Sequence, residues 1–591
     1  MELLTKSQQV RRGGAVLLLV IFSLIYIRCA RNDMRFPVAD ADNGGLVLPG
    51  GFEALVVVDS LGKGRHLAVS GNGDIYIKLR DAQPGAGNVA LRDANGDGRA
   101  DSIVYFGDYD VTPGYGPTSM RIYNGYLYFS SAGAVYRVKM EPGELVPTGE
   151  IETILIDDYK NDAHGYEHIA KPLTFDNAGH MYVPYGAPSD ICQLGGRVPG
   201  APGQFPCPEL QDHGGIWQFD AARPNQTQKD GKRYATGLRS VVAMSWNMET
   251  DALYALQHGR DYLNTSWPQY YTAWDSGLLP SEEFFRLDEG ADAGWPYYYY
   301  DQLQEKKLLN PEYGGDGKKG VDTAGIENPL IGFPGHWAPN DLLFYTGDQF
   351  PDRYKNGAFI AFHGSTIRTP YPQSGYFVCF VPFKDGKPSG DWEVFADGFA
   401  QRDTIVNTSD AAHRPVGLAM GPDGSLYISD SVKGTIWRVM YTGDKSGFGQ
   451  AQLAEMEERK MRANIKDPDP VNDHLDRGKA KVGASLYNTY CASCHQRNGK
   501  GDGNRFPPLD QSEWVNGDNR KLVALTLSGL EGPITVKGQA FNGVMPPHNF
   551  LKDDEVAQIL TYVRLNFGNN SSAVSESDVA QVRRRLGLND E

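Results

Sequence analysis

The sequence predicts a mainly β protein, a six-bladed β-propeller followed by a small all-α domain, and three observations carry that prediction. A short strand with the flavour Gly-x-Leu-Tyr-Val recurs six times. Glycine is abundant at 69 residues, and Tyr outnumbers Phe by 32 to 25, a mix that suits short strands joined by turns. A charged, helix-forming stretch then separates the last repeat from a C-terminal region of different pattern. At 591 residues the chain exceeds one core, so two or more domains are expected.

Residues 1–35 read as a targeting segment, either a signal peptide or an N-terminal membrane anchor. Lys6, Arg11 and Arg12 precede an uncharged stretch from Gly13 to Ile27, which ends at Arg28. That stretch is shorter than the roughly 20 residues of a spanning helix but suits a secretory apolar region. Cys29 stands where a lipid-modified cysteine could lie, yet Arg28 and Tyr26 do not fit a lipoprotein cleavage site. The alternative is plain cleavage with Cys29 unused. Export is expected, to the periplasm or the outer face of a membrane, with N-terminal attachment as an option.

The repeated strands are GDIYIKL (73–79), GYLYFSS (125–131), GHMYVPY (179–185), DALYALQ (251–257), GAFIAFH (357–363) and GSLYISD (424–430). Turn residues precede most copies, as in Asn72-Gly73, Asn177-Ala178-Gly179 and Pro422-Asp423-Gly424. Six copies imply six sheet modules over residues 36–445. Radial repetition of small antiparallel sheets protects strand edges and gives a propeller; a large β-sandwich is the alternative. Residues following each such strand then gather near one end of a central channel.

Within this region Asp93, Asn95, Asp97, Arg99 and Asp101 occupy loop positions 1, 3, 5, 7 and 9, with Gly98 at 6, in the pattern of a structural calcium loop. Arg99 would contribute its carbonyl. Position 12 is Val104, so the loop is not a complete EF-hand, and a ligand-free acidic turn is the alternative. Of six cysteines, Cys192 and Cys207 bracket a Pro/Gly-rich loop that an oxidising compartment would let them close as a disulfide. Cys379, in YFVCFVPF, reads as a buried strand residue.

Residues 446–475, containing AQLAEMEERKMRANI and then DPDPVNDH, read as a linker. A helix starting near Lys479 opens the next domain, 476–568, and 569–591 form a peripheral basic tail. In Cys491-Ala-Ser-Cys494-His495 two thiols can bond haem vinyl groups while the adjacent histidine binds iron. Zinc would need two further ligands, and a thioredoxin-like site a βαβ context; neither is evident. Met545 is placed as the second axial ligand, with His548 as competitor. LKDDEVAQILTYVRLNF has the period of a packed amphipathic helix. This region closely resembles class I cytochrome c domains over about 90 residues, and Pro507, Pro508 and Leu509 fit the loop that lines the haem edge in that family.

A haem that cycles one electron implies a donor on the same chain. The propeller region has no GxGxxG strand–helix unit, but His168, Lys171, Arg239, Arg260, His363 and Arg414 fall at or near the repeated strand ends. Such cations suit a small polyanionic cofactor at a channel mouth, although each alone reads as a solvated surface charge.

Several blocks over roughly 160–440 resemble sugar dehydrogenases dependent on pyrroloquinoline quinone (PQQ), of the soluble glucose and sorbosone dehydrogenase type. They are HIAKPLTFDNAGHMYVPYGAPSD, YATGLRSVVAMSWNMETDALYALQHGRDYL, FFRLDEGADAGWPYYYY, AFIAFHGSTIR and HRPVGLAMGPDGSLYISD. The resemblance implies His168 as general base and Arg239 as a positive charge near the quinone oxygens. It implies Lys171, His363 and Arg414 as further PQQ contacts, and Gly259 and Arg260 as backbone ligands of a calcium ion joined to PQQ. Ser240 stands where the family usually has asparagine.

The expectation is therefore an exported quinohaemoprotein dehydrogenase with PQQ, haem c and Ca²⁺. It would oxidise a sugar or related alcohol or aldehyde and pass electrons to a respiratory acceptor, a cytochrome or oxidase. The rivals are a calcium-dependent, lactonase-like propeller hydrolase and a non-catalytic propeller that docks a redox partner. Net charge −16 argues against a nucleic-acid partner.

Overall fold

The computed structural model describes residues 36–83, 86–109, 118–161, 167–320, 324–468, 477–569, 571 and 573–588. Residues 1–35, expected as a signal peptide or membrane anchor, and His164 lie outside them. Six antiparallel-rich sheets of four or five strands follow one another along the chain. Each repeated motif supplies the second strand of one sheet: Ile75–Gln83, Tyr126–Ser130, His180–Tyr185, Ala252–Gln257, Ala358–Phe362 and Leu426–Asp430. The ring closes because the N-terminal strand Phe52–Val58 (β1) pairs antiparallel with Ile436–Tyr441 as the outermost strand of the sixth blade.

Blades packed face to face bury both sides of their strands, so Ala358–Phe362 and Leu426–Asp430 are buried throughout. Large apolar side chains fill the wedge between the outer parts of neighbouring blades. Phe52 of β1 meets Phe350, Tyr354 and Phe395 edge-on at 4.8, 5.3 and 4.9 Å. Such pairs add about 0.5–1.5 kcal/mol each beyond burial and so strengthen the closure. At the axis, Asp341 of the fifth blade accepts from Arg121 of the second at 2.6 Å and from the Leu418 amide of the sixth at 2.8 Å. His66 of the first blade reaches the Asn340 carbonyl at 2.7 Å. These contacts tie four inner strands across the channel.

The stretch expected as a linker is ordered against the propeller as far as residue 468. Helix α1 (Gln450–Arg459) buries Met456, and Arg459 donates to the Leu48, Val394 and Phe395 carbonyls. Its charged face hid this from sequence: one methionine and an arginine make the contact, not an apolar stripe.

The C-terminal domain is built on α2 (Arg477–Tyr490), α3 (Asn519–Ser528), α4 (Asp553–Leu565) and α5 (Glu576–Arg585). Gly483 lets α2 cross α4 closely, since a Cβ there would lie 2.4 Å from the Gln558 carbonyl oxygen. The helical expectation acquires one addition, a hairpin of strands Leu530–Val536 and Gln539–Met545. The tail expected to be peripheral instead belongs to this core. Val579 and Val582 of α5 are buried with Val556 and Leu560, and Arg583 binds Asp553 at 2.7 Å.

Candidate active site

The chemistry-bearing side chains sit in two sets of connections, those entering each inner strand and those leaving each second strand. His168, Arg239 and Arg414 belong to the first set; Gly186, His258 and His363 belong to the second. Both sets open at one end of the channel.

The His168 Nδ1 lies 2.6 Å from the Ala187 carbonyl, so that nitrogen carries the proton and Nε2 keeps its lone pair. Burial, with Arg239 adding, pushes its pKa down to about 3. Gly186 makes room for it: a Cβ there would stand 2.4 Å from the His168 carbonyl oxygen. Arg239 is buried and binds Asp190 at 2.5 Å and the Gly259 carbonyl at 2.8 Å, while its Nε has no hydrogen-bond partner among the described residues. Burial would raise the Asp190 pKa, but Arg239, Arg260 and Arg197 together hold it below the usual range. His258 is pushed down to about 4 by burial, with Arg239 and Arg65 adding to the effect. His363 is driven well below its ordinary value by burial, then by Arg414 and Arg65. Arg65 thus lowers the pKa of both His258 and His363.

Arg414 donates to the His363 Nδ1 at 2.8 Å and to the Gly364 carbonyl at 2.5 Å, and the His363 Nε2 reaches Ser431 Oγ at 2.7 Å. Lys171 is fully buried beneath the site, paired with Asp157 at 2.5 Å and lying over the Tyr185 ring. The Arg260 guanidinium binds Glu312 at 2.6 Å. Ser240 is buried beside Arg239. The Gly259 carbonyl expected to ligate calcium accepts one hydrogen bond from Arg239, and its second lone pair is the one a cation there would use. In the other acidic loop, Asp93 accepts from the Gly96 and Gly98 amides, Asp97 from the Arg99 amide, and Asp101 from the Ala94 and Asn95 amides. Among the described residues no three His, Cys, Asp or Glu side chains are grouped as a metal site.

Asp190, Asp261, His258, His336 and Arg197 escaped the sequence reading. Arg197 sits in the loop closed by the Cys192–Cys207 disulfide and reaches Glu167, next to His168, at 3.0 Å and Asp261 at 3.6 Å. The run His258-Gly259-Arg260-Asp261 directly after a repeated strand was the available signal.

In the helical domain Cys491, Cys494 and His495 line an apolar cavity together with Pro507, Met545 and His548. The His495 Nδ1 donates to the Pro507 carbonyl at 2.9 Å, which leaves Nε2 for iron. Met545, ending the hairpin, and His548 both face this cavity; the His548 Nδ1 has no hydrogen-bond partner among the described residues. The donor set fits one covalently attached haem.

Fold and site together define a six-bladed β-propeller, with buried cations and histidines at one end of its channel, carrying a cytochrome c domain on the same chain. The Glucose / Sorbosone dehydrogenase family profile matches residues 108–367, a TrAA12-like profile matches 316–442, and the Cytochrome c profile matches 480–566. Cytochrome c-552 of Thermus thermophilus is 41% identical over 90 residues, covering 15% of this chain and 68% of that protein. The cytochrome c subunit of the quinone alcohol dehydrogenase of Gluconobacter oxydans is 30% identical over 120 residues, covering 18% of this chain but 23% of that subunit. The propeller fold is that of the holo pyranose dehydrogenase PQQ domain from Coprinopsis cinerea, with TM-score 0.50, 17% identity, and coverage of 68% of this chain and 98% of that one. The chain belongs to the cytochrome c family through its C-terminal domain, joined to a glucose/sorbosone dehydrogenase domain.

Proposed function

We propose that the propeller oxidises a sugar, or a related alcohol or aldehyde, with PQQ held at its channel mouth, and that the haem domain passes the electrons to a respiratory acceptor. The observation that carries this reading is the convergence of a neutral, singly oriented histidine with buried guanidinium groups at one end of the channel. Arg239 and Arg414 would hold the anionic cofactor, with His363 as a further contact. The Arg239 Nε supports this, being a buried donor without a hydrogen-bond partner among the described residues. PQQ, when bound, supplies a two-electron acceptor for hydride. His168 takes the substrate hydroxyl proton at Nε2, and the Ala187 carbonyl keeps the ring in the required tautomer. The positive charge of Arg239 adds to burial in disfavouring protonation of the His168 ring before substrate arrives. Lys171 lies deeper and supports the floor through Asp157. A hydrolytic reading would leave this cation set and the haem unused.

We also propose export. The uncharged stretch after Arg12 motivates it, and the closed Cys192–Cys207 bridge supports an oxidising compartment. Among the described residues no helix is long and apolar enough to cross a membrane. The deciding experiment is mass and absorbance analysis of cofactor extracted from purified protein. PQQ, and dye-linked sugar oxidation restored to stripped protein by adding it, is expected; a protein purified from a PQQ-producing host that holds none and gains no activity from it would end the proposal. Calcium is proposed at the Asp93 loop. Chelation should then lower the melting temperature of wild type but not of Asp97→Ala, with dye-linked activity largely spared at saturating cofactor. Equal loss of activity from both treatments would place the ion at the active site instead.

A further inference from the structure

The strap that follows the propeller does more than join two domains. After α1 the chain stays pinned to the fifth blade and then to the fourth. Arg462 binds Asp397 at 2.9 Å, the Gly375 amide and Ser374 hydroxyl donate to the Asn464 carbonyl, and the Trp274 indole donates to the Pro468 carbonyl at 2.7 Å. Only residues 469–476 lie between this anchor and α2, a span of at most ~30 Å. Where the haem domain meets the propeller, Lys500 Nζ lies 3.0 Å from Asp410 Oδ1. Close by, a Cβ on Gly568 would sit 3.3 Å from Val406 Cγ2, so backbone of the haem domain rests on the same propeller loop.

Both sides of this contact lead directly to redox chemistry. Asp410 is four residues before Arg414, whose guanidinium lies 5.8 Å from the Tyr376 ring centre at the channel mouth. The other Asp410 oxygen accepts from the Val406 and Asn407 amides, so the carboxylate is held in place for its partner. On the haem side, the amide of Gly501, next to Lys500, donates to the carbonyl of the iron ligand His495 at 3.0 Å.

We infer that Asp410 and Lys500 form an intramolecular docking contact that holds the haem domain against the Arg414 side of the channel mouth, and that electrons leave the propeller there. This rests on the dehydrogenase reading above. Each two-electron oxidation crosses the contact as two single electrons. Each of them reduces ferric iron to ferrous, and an external one-electron acceptor reoxidises the iron between the two.

The contact can be read without turnover in the full-length protein by zero-length carbodiimide coupling followed by peptide mass analysis. Lys537 and Asp510, paired at 2.7 Å within the haem domain, provide the calibrating cross-link. The Lys500–Asp410 amide should form alongside it and vanish in Lys500→Arg, which keeps the charge but cannot couple. The calibrating cross-link without the Lys500–Asp410 one overturns the docking contact. In stopped flow, Lys500→Glu should slow substrate-driven haem reduction by about threefold or more, while dithionite reduces its haem at the wild-type rate. An unchanged substrate-driven rate overturns the electron exit. If wild type shows no substrate-driven reduction at all, the dehydrogenase reading fails, and the cross-link still decides the contact.

Discussion

With its Nδ1 proton committed to the Ala187 carbonyl, the His168 ring has one basic nitrogen left. His168→Gln should retain PQQ but lose roughly 10²- to 10⁴-fold in kcat for haem reduction, the usual worth of a general base. His164→Gln is the internal control and should stay near wild type; the reverse result would move the base to position 164. The role of His168 came from the resemblance, whereas its tautomer depends on a carbonyl 19 residues away that no spacing rule reveals. At the haem, Met545→Ala should abolish a sulfur-to-iron charge-transfer band at the red end of the spectrum. Absence of the band in wild type would pass the ligand role to His548, whose ring also lines the cavity. The thiols and His495 were legible because attachment chemistry is confined to five consecutive residues.

Among the elements, the Cys192–Cys207 loop joins stability to the site. Opening a loop of about this length removes roughly 3 kcal/mol of constraint on the unfolded chain. The double Cys→Ser variant should therefore melt several degrees lower, and its KM should rise more than its kcat falls, because Arg197 loses its anchorage beside Glu167 and Asp261. An unchanged KM would show that Arg197 does not shape the mouth. The bridge could be suspected from two cysteines around a Pro/Gly-rich segment. That it carries an arginine to the mouth could not, because Glu167 and Asp261 lie 30 residues before and 64 after it in the chain. The tail was misjudged for a related reason: α5 offers few apolar residues, and only docking against α3 and α4 shows that Val579 and Val582 complete a core.

Across the whole propeller, His66, His168, His258, His336 and His363 all have pKa values lowered, chiefly by burial. Unfolding lets each take up a proton near its ordinary 6.5, so the unfolded state binds more protons throughout the range below that value. Stability conferred by these histidines is complete above about pH 6.5 and is lost as pH falls toward 4, by at most ~1.4 kcal/mol per unit for each one. The cofactor-free protein should thus show a melting temperature that drops by many degrees between pH 6.5 and 4.5. His66→Gln should flatten part of that drop. A flat profile in wild type would mean that the histidines are charged in the folded state.

The covalent haem motif, the six second strands, α2 and α4 were determined by local pattern, since attachment chemistry, strand period and helix period all act over a few residues. The tertiary structure decided everything that depends on closing the ring. It brought Asp190 and Asp261 to Arg239, turned the Gly259 carbonyl toward a guanidinium, strapped the supposed linker to the fifth and fourth blades, and set Lys500 against Asp410. Each of these partnerships joins loops from different blades or domains. Their cost and reward are set by burial and charge at the channel mouth, which exist only after β1 has paired with the last blade.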